Sequence, residues 1–214
     1  MTRTFLPRRC STALCFGVWL LSMAVVAPVP ASGDGRASRG LRDVAATEAQ
    51  RTRQMAFAKS RTLQDRRRTP KDQLAKAEET YAELAKQNFR GEAVRSALRS
   101  MISQTPELNL TGCAVLNYAR GADDGERQSY LQRAVEAHSD CFFADGAQVG
   151  GMARYLLGHL HRAQGDTAAA DKLFEEIRAN YPDAIAHGGE LLVAVIDAEG
   201  KTGKQTLPAT QPAE

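Results

Sequence analysis

Aromatic residues are scarce in this 214-residue chain, at 6% with a single Trp, so a packed core has to come from Leu, Val, Ile, Ala and Met, and there are few rings on which nucleic-acid bases could stack. Alternating runs of Val, Ile and Thr are missing, which leaves no convincing strand and makes all-α the reading. Cysteine is limited to four residues, two of them (Cys10 and Cys15) in the first apolar stretch, and there is no Cys-x-x-Cys. A disulfide-framework scaffold and a thioredoxin-type redox motif are therefore excluded. No phosphate-cradling glycine loop, no Gly-x-Ser-x-Gly and no set of nucleophile, base and orienting group can be assembled, so no catalytic residue is assigned. Metal chemistry fares no better. His138 and Cys141 form an H-x-x-C pair, but His159 and His161, two residues apart on a helix, point about 200° from each other and cannot share one ion unaided. Asp140, Asp145 and Gly146 lack the spacing and the bidentate Glu of a calcium loop. No metal and no cofactor are expected.

What is present begins with an apolar leader. Arg3, Arg8 and Arg9 precede the continuous stretch STALCFGVWLLSMAVVA, and PVPASG supplies small residues at a cleavage site after Ala31. Residues 1–31 thus resemble a bacterial signal peptide, which predicts an exported protein, periplasmic or extracellular. The alternative is an uncleaved membrane anchor, because the stretch is near the lower length for spanning a bilayer. Arg36, Arg39 and Arg42 just beyond it disfavour translocation in either case. Cys10 and Cys15 stand at the start of the stretch, so no lipid-anchoring Cys box follows it.

Charge divides the remainder. The whole chain is +3, whereas a chain cleaved after Ala31 has 25 basic and 25 acidic residues and is formally neutral. Residues 32–71 hold eleven Lys or Arg against four acids, and residues 72–214 hold fourteen against twenty-one, so a +7 arm precedes a −7 body. Residues 32–69 read as a basic linker, disordered or weakly helical. Its dense run Arg66-Arg67-Arg68 could meet nucleic acid or anionic lipid, but the shortage of aromatics and the export signal disfavour nucleic acid. Thr69-Pro70-Lys71-Asp72 carries a capping hydroxyl, a proline suited to the first helical position and a carboxylate three residues after the cap, which predicts a helix start near residue 70. Residues 200–214 have turn residues and no apolar period, so the tail is expected to be disordered.

Between them the pattern is helical. In RYLLGHLHRAQGDTAAADKLFEEIRANYPDA, Leu156, Leu157, Leu160 and Ala163 share one face of a helix, Gly165 can end it in a left-handed conformation, and Asp166 or Thr167 can cap the next. Ala169, Ala170, Leu173, Phe174 and Ile177 then form a second stripe that Pro182 stops. Neither helix can bury its stripe alone, so the hairpin requires neighbours. This stretch resembles the tetratricopeptide repeat family through Leu157, Gly158, Gly165, Ala170, Phe174, Ile177 and Pro182, with Arg154 and His161 where the family has aromatics. The family period is about 34 residues. A poorer copy has Ala82, Ala85, Val94, Leu98, Met101 and Pro106, with Phe89 in place of a turn glycine. Another has Ala114, Val115, Tyr118, Leu131 and Ala134. Between that copy and the best one, CFFADGAQVG reads as an insertion of about nine residues relative to the family period. Leu191, Leu192, Val195 and Ile196 would cap the stack. Residues 70–199 are therefore expected to form a TPR-like α-solenoid of stacked antiparallel hairpins.

The resemblance implies a binding role without catalysis. In the family the first helices of the hairpins line a groove that takes a protein or peptide partner. Transferred to this chain, the groove positions are Tyr155, His159, Arg162, Glu83, Lys86 and Arg120, all of which serve equally well as plain surface. Phe142 and Phe143 in the insertion either plug the space between hairpins or project as a contact. Antiparallel packing brings Cys113 and Cys141 to the same end of the second hairpin, where a disulfide would add roughly 3 to 4 kcal/mol in the chain-entropy model. Two buried free thiols and a redox pair are the alternatives. The expectation is an exported scaffold that binds a protein or peptide partner. The alternative is a membrane-tethered structural or assembly subunit in which the apolar segment stays and the basic arm lies on lipid.

Overall fold

The computed structural model of the protein describes residues 44–203. The chain divides into two units, Met1–Asp34 and Gly35–Glu214, and all described residues belong to the second. The signal-peptide reading of residues 1–31, Cys10 and Cys15, and most of the tail lie outside the described residues. Among these, the structure is all-α, with eight helices and only isolated β-bridges. In chain order they are α1 Glu48–Arg68, α2 Lys71–Lys86, α3 Glu92–Gln104, α4 Asn109–Gly121, α5 Asp124–Ala137, α6 Val149–Ala163, α7 Thr167–Asn180 and α8 Leu192–Thr202. Each helix from α2 onward packs on its successor, and α2 also touches α4, α4 touches α6, and α6 touches α8.

Local chemistry explains the breaks. Thr47 and Gln50 form a reciprocal capping box at the start of α1, and Arg66, Arg67 and Arg68 sit in its last turn, where positive charge complements the helix dipole. Pro70 separates α1 from α2: Thr69 before it is extended, as a residue preceding proline prefers, and the second helix starts at Lys71. Thr69 makes no side-chain cap, so the helix begins one residue later than its sequence suggests. Asp123 caps α5 by accepting from the Glu126 N–H at 3.2 Å, and Asp166 caps α7 by accepting from Ala169 at 3.0 Å. Gly165, with φ +86°, makes the turn between α6 and α7. The α2–α3 turn uses no glycine at the matching place. Phe89 itself adopts φ +53°, and the strain is offset because its ring is buried and meets Tyr81 edge-on at 5.5 Å.

Apolar stripes then form one core. Val94, Leu98 and Met101 of α3, Leu131 and Ala134 of α5, and Ala170, Phe174 and Ile177 of α7 are all buried. α4 is buried nearly all round, from Asn109 through Ala119. Its Gly112 is required by close approach, since a Cβ there would stand 2.6 Å from the Cys141 Sγ.

The stretch CFFADGAQVG is not an insertion peculiar to one junction. It forms a small hairpin with a bridge between Phe142 and Gln148, and a second hairpin with a bridge between Ile185 and Leu191 recurs before α8. The bonds correspond one for one. The Phe143 N–H donates to the Ala147 carbonyl at 2.9 Å and Val149 to Cys141 at 2.9 Å; Ala186 donates to Glu190 at 2.8 Å and Leu192 to Ala184 at 2.9 Å. Gly146 and Gly189 supply the positive φ in each, +92° and +83°. The same hairpin thus precedes both α6 and α8.

The basic arm departs most from expectation. The described residues start at Val44, and residues 48–68 of the linker expected to be disordered or weakly helical are one continuous helix. Val44 and Ala46 first pair with the second hairpin: the Ala46 N–H donates to Gly189 at 2.9 Å and Leu191 to Val44 at 2.7 Å. Running back, α1 then crosses every junction in turn. Gln50 and Arg53 reach Asp183 at 3.2 and 2.6 Å. Gln54 and Met55 lie against Gly146, where a Cβ would come within 3.0 Å. Arg61 donates to Asp140 at 3.2 Å and to the Glu107 carbonyl at 2.5 Å, and also pairs with Asp65. Asp65 accepts from the Asn109 N–H at 2.7 Å, capping α4 from outside. The far boundary moves as well: α8 runs to Thr202 and ends on Gly203 with φ +65°, beyond residue 199. Replacing Asp65 with Ala removes the most buried of the three partners of the Arg61 guanidinium and leaves the first N–H of α4 without its acceptor. Unfolding free energy is expected to fall by about 3 kcal/mol, read from urea denaturation as a lower midpoint with an unchanged slope.

Candidate functional site

The residues expected to line a groove do not form one continuous surface. Glu83 and Lys86 on α2 are exposed and pair with each other at 2.5 Å. Arg120 on α4 is half-buried; burial lowers its pKa, opposed by the Asp145 carboxylate. On α6 the three expected positions separate. Tyr155 is 1% exposed and donates its hydroxyl to Glu199 of α8 at 2.6 Å, so it seals one helix against another rather than facing a ligand. His159 places Nε2 3.0 Å from the second Glu199 oxygen. Its ring packs on Tyr155 at 4.5 Å and on Phe174 at 5.4 Å. Arg162 is exposed, stacks over Phe174 at 4.5 Å and reaches Asp171 at 3.1 Å. Sequence spacing aligned these three correctly along α6 but could not show that α8 covers Tyr155.

The two phenylalanines pack inward. Phe143 is buried with its ring 4.5 Å from His187, and Phe142 is half-buried, 6.2 Å from Phe57 of α1. Neither projects as a contact. His187, which no motif singles out, joins the two junction hairpins through Nδ1 and the Asp145 Oδ2 at 2.8 Å. Burial alone would raise the Asp145 pKa, yet the hydrogen bonds from His187 and from the Ala147 N–H hold it below its ordinary value.

The expected disulfide is not formed. Cys113 and Cys141 do meet at one end of the second hairpin, but both are free, buried thiols. The Cys113 Sγ is directed at the Phe142 carbonyl, 3.4 Å away, while the Cys141 Sγ packs over Gly112 and beside Asp140. Burial pushes the Cys141 thiol up to about 12 and raises the Cys113 thiol well above its ordinary value, so neither is a thiolate at neutral pH and the redox alternative loses its nucleophile. Among the described residues, no three His, Cys, Asp or Glu side chains converge as a metal site, and no helix is long and apolar enough to cross a membrane.

Clefts open between helices of the described residues. One of about 220 Å³ lies where Thr62 and Asp65 of α1 face Leu74 and Tyr81 of α2 and Leu110 of α4. A shallower one of about 140 Å³ separates α2 from α3. The largest, about 570 Å³, runs between α3 and α5, with Arg99 and Ile102 on one wall and Glu126, Ser129, Tyr130 and Arg133 on the other. Sequence reasoning looked to the first helices of the hairpins and passed over Arg99 and Arg133. For Arg99 the signal was the basic stripe Arg95-x-x-x-Arg99 on α3; Arg133 on α5 had none.

No family model, curated protein or solved structure matches this chain. The site therefore rests on its own geometry.

His138, at the end of α5, supplies a pH test. Its ring is 1% exposed, Nε2 has no hydrogen-bond partner, and burial with the Arg133 charge nearby depresses its pKa to about 4 from 6.5. The unfolded chain takes up this proton below 6.5 and the folded chain only near 4. Stability is therefore full above 6.5 and falls as pH drops toward 4, by about 3 kcal/mol for this residue. In denaturation series across that window, His138→Gln is expected to flatten the slope of unfolding free energy against pH.

Proposed function

We propose that this protein is an exported, non-catalytic scaffold of TPR-like hairpins that binds a protein or peptide partner. The observation that carries the reading is the packing order: each helix rests on its successor, while α2, α4, α6 and α8 touch in series, the arrangement expected of hairpins stacked along one axis. The recurrence of the junction hairpin before α6 and before α8 supports the same reading, since a repeated unit includes its connections. On α2, α4 and α6, exposed Glu83, Lys86 and Arg162 and half-buried Arg120 are polar and of both signs, which suits a charged or amphipathic segment. His159 lends its ring to the same row while Tyr155 supports it from beneath.

A specific observation favours the tethered alternative. In α1 the residues Arg53, Lys59, Arg66, Arg67 and Arg68 are exposed, and Asp65, the acid among them, is turned inward. A rigid helix with this outer face suits anionic headgroups.

Intact mass of the protein from its native compartment separates the two. A chain beginning at Ser32 is expected, with two thiols that alkylate only after unfolding; a full-length mass in the membrane fraction selects the tethered subunit. Photo-crosslinkers at Glu83 and at Arg162 are expected to give discrete protein adducts in that compartment. Absence of adducts at both positions removes the groove reading.

A further inference from the structure

Five arginines of the helical body are paired with acids. Arg95 pairs with Glu92 at 2.9 Å and Glu126 at 3.0 Å, Arg127 with Asp124 at 3.0 Å, Arg154 with Glu176 at 3.0 Å, Arg162 with Asp171 at 3.1 Å, and Arg178 with Asp197 at 2.9 Å. Arg99 and Arg133 are different. Both are exposed, and neither has a carboxylate within ion-pair distance among the described residues. They line the same cleft from opposite walls, and at about 570 Å³ that cleft is the largest among those described.

The one acid in the cleft is already engaged. Glu126 accepts from the Tyr118 hydroxyl at 2.7 Å and pairs with Arg95, so it cannot neutralise the other two arginines as well. Tyr130 is fixed by an edge-on contact with Tyr118, ring centroids 4.7 Å apart, and Ile102 gives the cleft an apolar floor. Ser129 adds a hydroxyl between the charges. Two guanidiniums without acids lining one partly apolar cleft suit an anionic ligand, and guanidinium geometry favours carboxylates held by two parallel bonds. A body with an excess of seven acids over bases from residue 72 onward makes an unneutralised positive cleft still less expected by chance.

We propose that the cleft between α3 and α5 is a second binding site, which seats an acidic segment of a protein partner by placing its carboxylates on Arg99 and Arg133 and its apolar side chains on Ile102 and Tyr130. This rests on the scaffold reading above but places the contact on the second helices of the hairpins, away from the α2, α4, α6 row.

The test is fluorescence anisotropy of the intact protein with a labelled dodecapeptide of alternating Glu and Leu, against the same peptide with Gln for Glu. The Glu peptide is expected to bind and the Gln peptide not, with affinity falling as salt rises. Arg99→Gln with Arg133→Gln is expected to weaken binding about tenfold or more, as loss of two charge-assisted contacts requires. Ser129→Glu, which leaves both arginines and puts a carboxylate in the cleft itself, is expected to abolish it. Arg66, Arg67 and Arg68 changed to Gln are expected to leave it unchanged. All of these positions are exposed, and retained helicity and melting temperature confirm folding. Equal binding of the Gln peptide, indifference to the Arg99/Arg133 pair, or loss confined to the α1 variant overturns the site. So does binding to phosphatidylglycerol vesicles that depends on Arg99 and Arg133 while the peptide fails. Adducts at Glu83 and Arg162 with an inert α3–α5 cleft would keep the scaffold and remove this inference.

Discussion

The fold depends on one carboxylate placed where three segments meet. Asp65 of α1 takes up the Arg61 guanidinium on one side and the first free N–H of α4 on the other. Asn109, so fixed, uses its side-chain amide twice on the next junction, donating to the Phe142 carbonyl at 2.7 Å and accepting from the Phe142 N–H at 2.7 Å. Arg61 meanwhile reaches the carbonyl before α4 and the aspartate before the Phe142 hairpin. A helix start leaves several backbone donors unpaired, and burying them without partners costs more than the bonds themselves return. By answering those donors from outside, α1 allows α4 to be buried on nearly every side, and α4 is the helix on which α2, α5 and α6 all pack.

That arrangement changes what the basic arm is for. A cationic segment ahead of an acidic body could be held by diffuse attraction, which salt would screen. Instead its bonds are local and directed: Arg53 to Asp183, Arg61 to Asp140, Gln50 to Asp183. Each lands on a junction rather than on a helix face. A helix bonded to the segments before α4, α6 and α8 ties together parts of the chain far apart in sequence.

Much of this was legible and some was not, for physical reasons that differ by residue. Leu157, Leu160, Phe174 and Ile177 announce an amphipathic hairpin because burial of apolar stripes at helical spacing is what drives such a hairpin to form, and all four are buried. α1 gave no such signal, since it docks through Gln50, Arg53, Gln54, Arg61 and Asp65, and polar contacts leave no hydrophobic period. The turn at Phe89 looked defective because a glycine was sought; tertiary burial of the ring holds a conformation that the backbone alone disfavours. Tyr155 was assigned to a surface because its own helix was read without the helix that covers it. Cys113 and Cys141 were correctly brought together, yet proximity is necessary for a disulfide and not sufficient: the Cys113 Sγ is aimed at a carbonyl and not at its neighbour.

The distribution of ion pairs bears on function more than on stability. Exposed pairs contribute at most about 1 kcal/mol each, so their number along α3 to α7 says little about why the fold persists. Their pattern says more. The exposed arginines of α6 and α7 each have an acid on the adjoining helix or turn, so the packing of hairpins places opposite charges together as a matter of course. Arg99 and Arg133 occupy comparable positions between adjoining helices, and the acid nearest them is committed to Arg95 and Tyr118. Arg99 and Arg133, left without an acid in an interhelical cleft, are where charge brought by another molecule would find its pair.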